Sequence, residues 1–174
     1  VATGYFTARY LKERMPLSEG GAYTYVGIPA WCQDDYIMHH LNLTPGKGGY
    51  YAMNYPWDRP WKTAGKAYSS LGGIIITFDR AANRGEARVL AFDWHFDEFM
   101  AASGLSPQPL DWKNSPWLHV LYNRFLLEHR DHPEKFVSVL GVKQLNNREA
   151  YMELVGVGEN PLEAILGPDP DWRP

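Results

Sequence analysis

Apolar and polar positions along the chain change their period several times, and each change marks an element. Over residues 4–15, Phe6, Tyr10, Leu11 and Met15 recur at helical spacing and predict a helix. Gly20-Gly21 ends it, and Ala22–Ile28 reads as a strand. Pro29 suits the first turn of a helix running to about Leu41, since a helix start leaves its N–H groups unused anyway. Thr44–Gly49 is then a loop and Tyr50–Met53 a short aromatic strand. Residues 54–66, holding Pro56, Pro60 and Gly65, read as irregular chain.

The strongest strand signal is Gly73–Phe78, whose unbroken apolar run predicts burial on both faces. Asp79–Gly85 makes a polar turn, and Ala87–Phe92 returns as the partner strand. Asp93 is the expected N-cap of a helix over 94–103 that stops at Gly104. Ser115-Pro116 opens another helix, with Trp117, Leu118, Leu121, Phe125 and Leu126 on one stripe. Residues 136–140 and 149–155 read as two further strands, and Asn160-Pro161 begins a last helix that Gly167 terminates. Strands and helices do not alternate regularly. The pattern predicts an α+β fold, one compact domain over 1–174 with a central, mostly antiparallel sheet flanked by helices. Residues 1–20 form a helical lead-in, 21–167 the core and 168–174 a tail.

Composition narrows the function classes. At 174 residues the chain can bury roughly 70% of its unfolded surface and needs no metal or disulfide to fold. Apolar residues at 45% and charged residues at 21% exclude a disordered tail, a collagen-like repeat and a long coiled coil. A net charge of −3 excludes a polybasic nucleic-acid or membrane-surface binder. Aromatic content of 14% exceeds what a core of this size demands, which points to contacts with something else. Cys32 is the single cysteine, so no internal disulfide framework exists. The longest apolar run, Ile74–Ile76, is far too short for a bilayer, and the amino end lacks a signal-peptide pattern. A start at Val1 is expected for a module of a larger protein.

Three constellations of reactive residues are weak when worked through. His39 and His40 are adjacent and point about 100° apart on a helix, so they cannot share an ion. His129 and His132, beside Asp131, have chelating spacing but read equally as a solvated helix end, and no metal is expected. Cys32 near a helix start, with His95 and Asp97 as base and orienter, sketches a cysteine hydrolase. Cysteine is also among the most often buried residues, and His95 and Asp97 face different directions on a helix. Gly46–Gly49 lacks the P-loop spacing and leads into a strand.

A fourth set is ordered along the chain. Tyr23-Thr24-Tyr25 lies on a strand, followed by a helix ending in His39–Pro45 and by Gly48-Gly49-Tyr50-Tyr51-Ala52. Asn147–Val155 comes much later, then Pro161–Leu166. This order resembles the ADP-ribosyltransferase-like toxins and the related poly-ADP-ribose polymerases, over roughly residues 22–55 and 146–167. Thr24 occupies the place where that superfamily carries Arg or His. The resemblance implies an ADP-ribosyltransferase-like fold, NAD as substrate, and transfer of ADP-ribose to a protein or nucleic acid, or NAD hydrolysis. It implies a toxin or effector module, delivered to a target-cell cytoplasm within an exported protein and countered by an immunity protein.

Cleaving the nicotinamide–ribose bond develops positive charge on the sugar, which a nearby carboxylate stabilises. The resemblance gives that role to Glu149 first and Glu153 second. Four apart on a strand, they project to one face, where they either divide the work or simply meet water. Tyr23, Thr24, Tyr25, Gly49, Tyr50 and Tyr51 are the residues implied to contact NAD, tyrosine rings forming walls for its flat bases. The alternatives are a non-enzymatic effector or immunity-type protein-binding domain, and the Cys32 hydrolase. For the first, Trp57, Arg59, Trp61 and Lys62 form a candidate partner-facing loop.

Overall fold

A computed structural model describes residues 2–28, 30, 32–44, 49–53, 69–105, 115–156 and 160–168. The elements run α1 (Ala2–Arg14), β1 (Gly21–Gly27), α2 (Cys32–Leu41), β2 (Tyr50–Ala52), β3 (Ser69–Asp79) and β4 (Arg84–Asp93). They continue as α3 (Phe96–Ser103), α4 (Pro116–Glu128), α5 (Pro133–Phe136), β5 (Val137–Leu145), α6 (Arg148–Val155) and α7 (Pro161–Leu166). The strands form one sheet in the order β2-β1-β3-β4-β5. Only β1 and β2 run parallel; the other pairs are antiparallel. The domain is α+β, with a mostly antiparallel sheet between helices.

The apolar run in β3 explains why helices cover both faces. Ile75 points into a core shared with α1, α2, α3, α4 and α5, while Ile74 and Ile76 point into a second core with α6 and α7. All three are at most 1% exposed, as their unbroken run predicted. The first core is largely aromatic: Phe6 of α1 lies 4.5 Å from Phe136, centroid to centroid, and Phe99, Tyr122 and Phe125 pack beside them. The helix of the lead-in is therefore a core element, burying Phe6, Ala8 and Leu11.

Local signals placed most boundaries. Pro116 and Pro161 stand in the first turns of α4 and α7. Gly104 caps α3 at φ 62, in the left-handed region that suits glycine, and Gly167 follows α7 at φ 84. Two expectations fail. Asp93 does not cap α3, because β4 keeps pairing with β3 as far as Ser69–Asp93. His95 takes the cap position instead, in left-handed conformation, and Asp93 accepts a hydrogen bond from Ser138. The strand expected over 149–155 is α6. Asn147 caps it by accepting from the Ala150 amide at 2.8 Å, and Ala150, Tyr151, Leu154 and Val155 bury one helical face in the second core.

The strand expected at 136–140 extends to Leu145, past a register shift opposite Val89 and Leu90. There Gly141 lies so close to α7 that an added Cβ would meet Leu166 at 2.4 Å. Pro29, the loop 45–48 and the segment 54–66, with Trp57, Arg59, Trp61 and Lys62, lie outside the described residues.

Candidate functional site

Among the described residues the short β2 pairs only with Tyr25–Gly27. Along residues 21–24, β1 therefore has a strand neighbour only on the β3 side among the described residues. A groove of about 370 Å³ opens along that edge, lined by Ala22, Tyr23, Thr24, Asn42, Gly49, Phe78, Arg80 and Tyr151 among others. Its two halves come from distant parts of the chain, joined by a 3.0 Å hydrogen bond between the hydroxyls of Thr24 and Tyr151. The Tyr151 ring packs 5.0 Å from Phe78, on the face opposite Tyr23. Gly49 takes φ 98, and a Cβ there would meet Leu43 at 3.1 Å, so the left-handed backbone and the narrow space both favour glycine.

Of the residues singled out for ligand contact, Tyr23, Thr24 and Gly49 thus meet in one groove. Tyr23 donates its hydroxyl to the Met15 carbonyl at 2.6 Å, and partial burial raises its pKa. Tyr25, Tyr50 and Tyr51 lie elsewhere. Strand alternation sends Tyr25 and Tyr50 beneath α2 and leaves Tyr51 on the surface at 37% exposure.

Tyr25 and Tyr50 converge on Asp34, a residue to which the sequence assigned no role. Asp34 lies in the first turn of α2 and is 1% exposed. Tyr50 donates to its Oδ2 at 2.8 Å, and the Tyr25 hydroxyl lies 3.1 Å from Oδ1 and 2.5 Å from the Gly72 carbonyl. Gln33 donates to the same carbonyl at 3.1 Å. Burial first, and the neighbouring Asp34 second, push both tyrosine hydroxyls well above the ordinary phenol range. The chain makes room for this cluster with glycine: a Cβ on Gly73 would fall 2.6 Å from the Tyr25 hydroxyl. The cluster fastens α2 to the sheet. No local pattern announces it, although Gly27 and Gly73 are the small residues such a close approach requires.

Glu149 and Glu153 sit on α6, both exposed. They share a face, as expected, but a helical one. Each is two residues from Tyr151 and so turned about 200° around the helix from it. Neither lines the groove.

Cys32 is exposed at the start of α2, and no hydrogen bond joins it to a histidine among the described residues. His95 turns its Nε2 to the Lys135 carbonyl at 2.7 Å, while His129 and His132 engage the Phe125 carbonyl and Glu134. Among the described residues no three His, Cys, Asp or Glu side chains gather as metal ligands would, and no helix is long and apolar enough to cross a membrane. Comparison of the chain with protein-family models, curated proteins and solved structures finds no match.

Proposed function

We propose that the protein binds NAD, or a nucleotide of similar chemistry, in the groove along the open edge of β1. One observation carries the reading: Tyr23, Thr24 and Gly49, implied to contact NAD by the ADP-ribosyltransferase-like resemblance, line the same groove as Arg80 and Tyr151. Tyr151, half-buried at the groove, offers aromatic surface to a flat ring. Arg80 is exposed and lines the same groove, where its guanidinium suits a phosphate.

Cleavage of the glycosidic bond needs a carboxylate beside the ribose, and none of the described residues supplies one to the groove. Glu149 and Glu153 face away from it. Binding is therefore the function supported best, and ADP-ribosyl transfer or NAD hydrolysis is the activity such binding would serve.

Calorimetry with NAD, ADP-ribose and nicotinamide tests the reading. Saturable NAD binding is expected, weakened about tenfold or more in Arg80→Ala by the loss of charge-assisted hydrogen bonds. No heat of binding at millimolar NAD, or equal affinity in Arg80→Ala, would refute it. Nicotinamide release measured beside Glu149→Ala and Glu153→Ala separates binding from turnover.

A further inference from the structure

A second cavity, of about 380 Å³, opens between α1, α2 and α4 and shares no lining residue with the β1 groove. Its walls are Tyr5 and Phe6 of α1, Tyr36 of α2, and Leu126 and Leu127 of α4. The aromatic wall is braced: Tyr5 meets Phe6 and Tyr36 edge-on at 5.4 and 6.1 Å, and Tyr36 stacks on His40 at 5.4 Å. Water inside such walls finds few hydrogen-bond partners, so an apolar body that displaces it gains free energy in proportion to the area covered.

Among the described residues, charge enters at the rim. Arg9 holds the rim together by donating to the Tyr5 hydroxyl at 3.1 Å, the Arg130 carbonyl at 2.7 Å and Asp131 Oδ1 at 2.9 Å. Asp131 is thereby committed to Arg9. Arg130 lines the cavity, and its guanidinium Nε stands 3.7 Å from the other Asp131 oxygen, beyond hydrogen-bonding distance, with the side chain 64% exposed. A flat fork of donors at the mouth of an apolar cavity matches a carboxylate on an apolar body. The nearby Asp131 charge disfavours an anion carrying two charges. Asn123 adds one amide at the same site.

We infer that this cavity is a binding site for an amphipathic monocarboxylate, a free alkyl carboxylate taken from solution, with its chain among Phe6, Tyr36 and Leu126 and its head on Arg130. A pocket of this volume with apolar walls and a few convergent polar groups is the usual form of a small-molecule site. The inference does not rest on nucleotide binding at β1.

The probe is decanoate below its micelle concentration, with decanol as the uncharged control, followed by calorimetry and amide chemical shifts on the full chain. Saturable one-to-one binding is expected, with shifts confined to α1, α2 and α4. Arg130→Gln should weaken decanoate about tenfold and leave decanol unchanged. Leu127→Asp, at a side chain already 64% exposed, should abolish decanoate binding without unfolding the domain. The absence of saturable binding at millimolar decanoate would overturn the inference, as would affinities unchanged in both variants. Sedimentation showing a dimer that Leu127→Asp dissolves would also overturn it, by assigning the cavity to a second copy of the chain.

Discussion

Replacing Gly27 by alanine isolates what the buried Asp34 cluster contributes. Gly27 is not among the positive-φ residues, so alanine meets no backbone penalty there. Its Cβ would, however, fall 2.1 Å from Asp34 Oδ2. At 1% exposure the carboxylate cannot swing into water, so it must turn away from Tyr50 and Tyr25, its partners at 2.8 and 3.1 Å. Each hydrogen bond to a carboxylate is worth about 1.5–3 kcal/mol, and the stiffer unfolded chain returns up to about 1 kcal/mol. The expected net loss is about 3 kcal/mol, or roughly 6–12 °C in Tm for a domain of this size. Urea unfolding followed by tryptophan fluorescence and circular dichroism measures it, read as a lower midpoint at unchanged m. Tyr50→Phe supplies the second arm. Alone it should cost about 1.5–3 kcal/mol, and on top of Gly27→Ala close to nothing, since the bond it removes is already broken. A loss under about 1 kcal/mol for Gly27→Ala, or full additivity with Tyr50→Phe, would refute the cluster as the fastening of α2.

Asn147→Ala removes the cap of α6 and should cost about 1 kcal/mol in urea unfolding; a neutral result would speak against the cap. Thr24→Val and Tyr151→Phe each delete the same 3.0 Å hydroxyl contact, so each should cost about 1 kcal/mol and the double variant little more than either. The hydrogen bond from Arg9 holds the Asp131 carboxyl below its ordinary range. Its contribution to stability is thus present above the unfolded carboxylate pKa and is lost as pH falls through the lowered folded value. A carbon-detected NMR titration should return Asp131 toward about 3.9 in Arg9→Ala.

Much of the fold was legible because its signals are local. A proline in the first turn, a glycine just past the last, and an apolar run bounded by polar turns act within a few residues, and each stands where Pro116, Pro161, Gly104, Gly167 and Ile74–Ile76 placed it. The helix at 148–155 was also legible: Ala150, Tyr151, Leu154 and Val155 keep helical spacing behind an Asn cap.

What the sequence by itself determined is most of the elements, the α+β class and the burial of β3 on both faces, all consequences of short-range sterics and of apolar period. Only the tertiary structure decided which side chains meet. Thr24 finds Tyr151 across 127 positions of chain, and Tyr25, Tyr50 and Gly72 close on Asp34. Such contacts depend on sheet order and helix docking, which follow from burying both faces of the sheet at once. No stretch of a few residues carries that information.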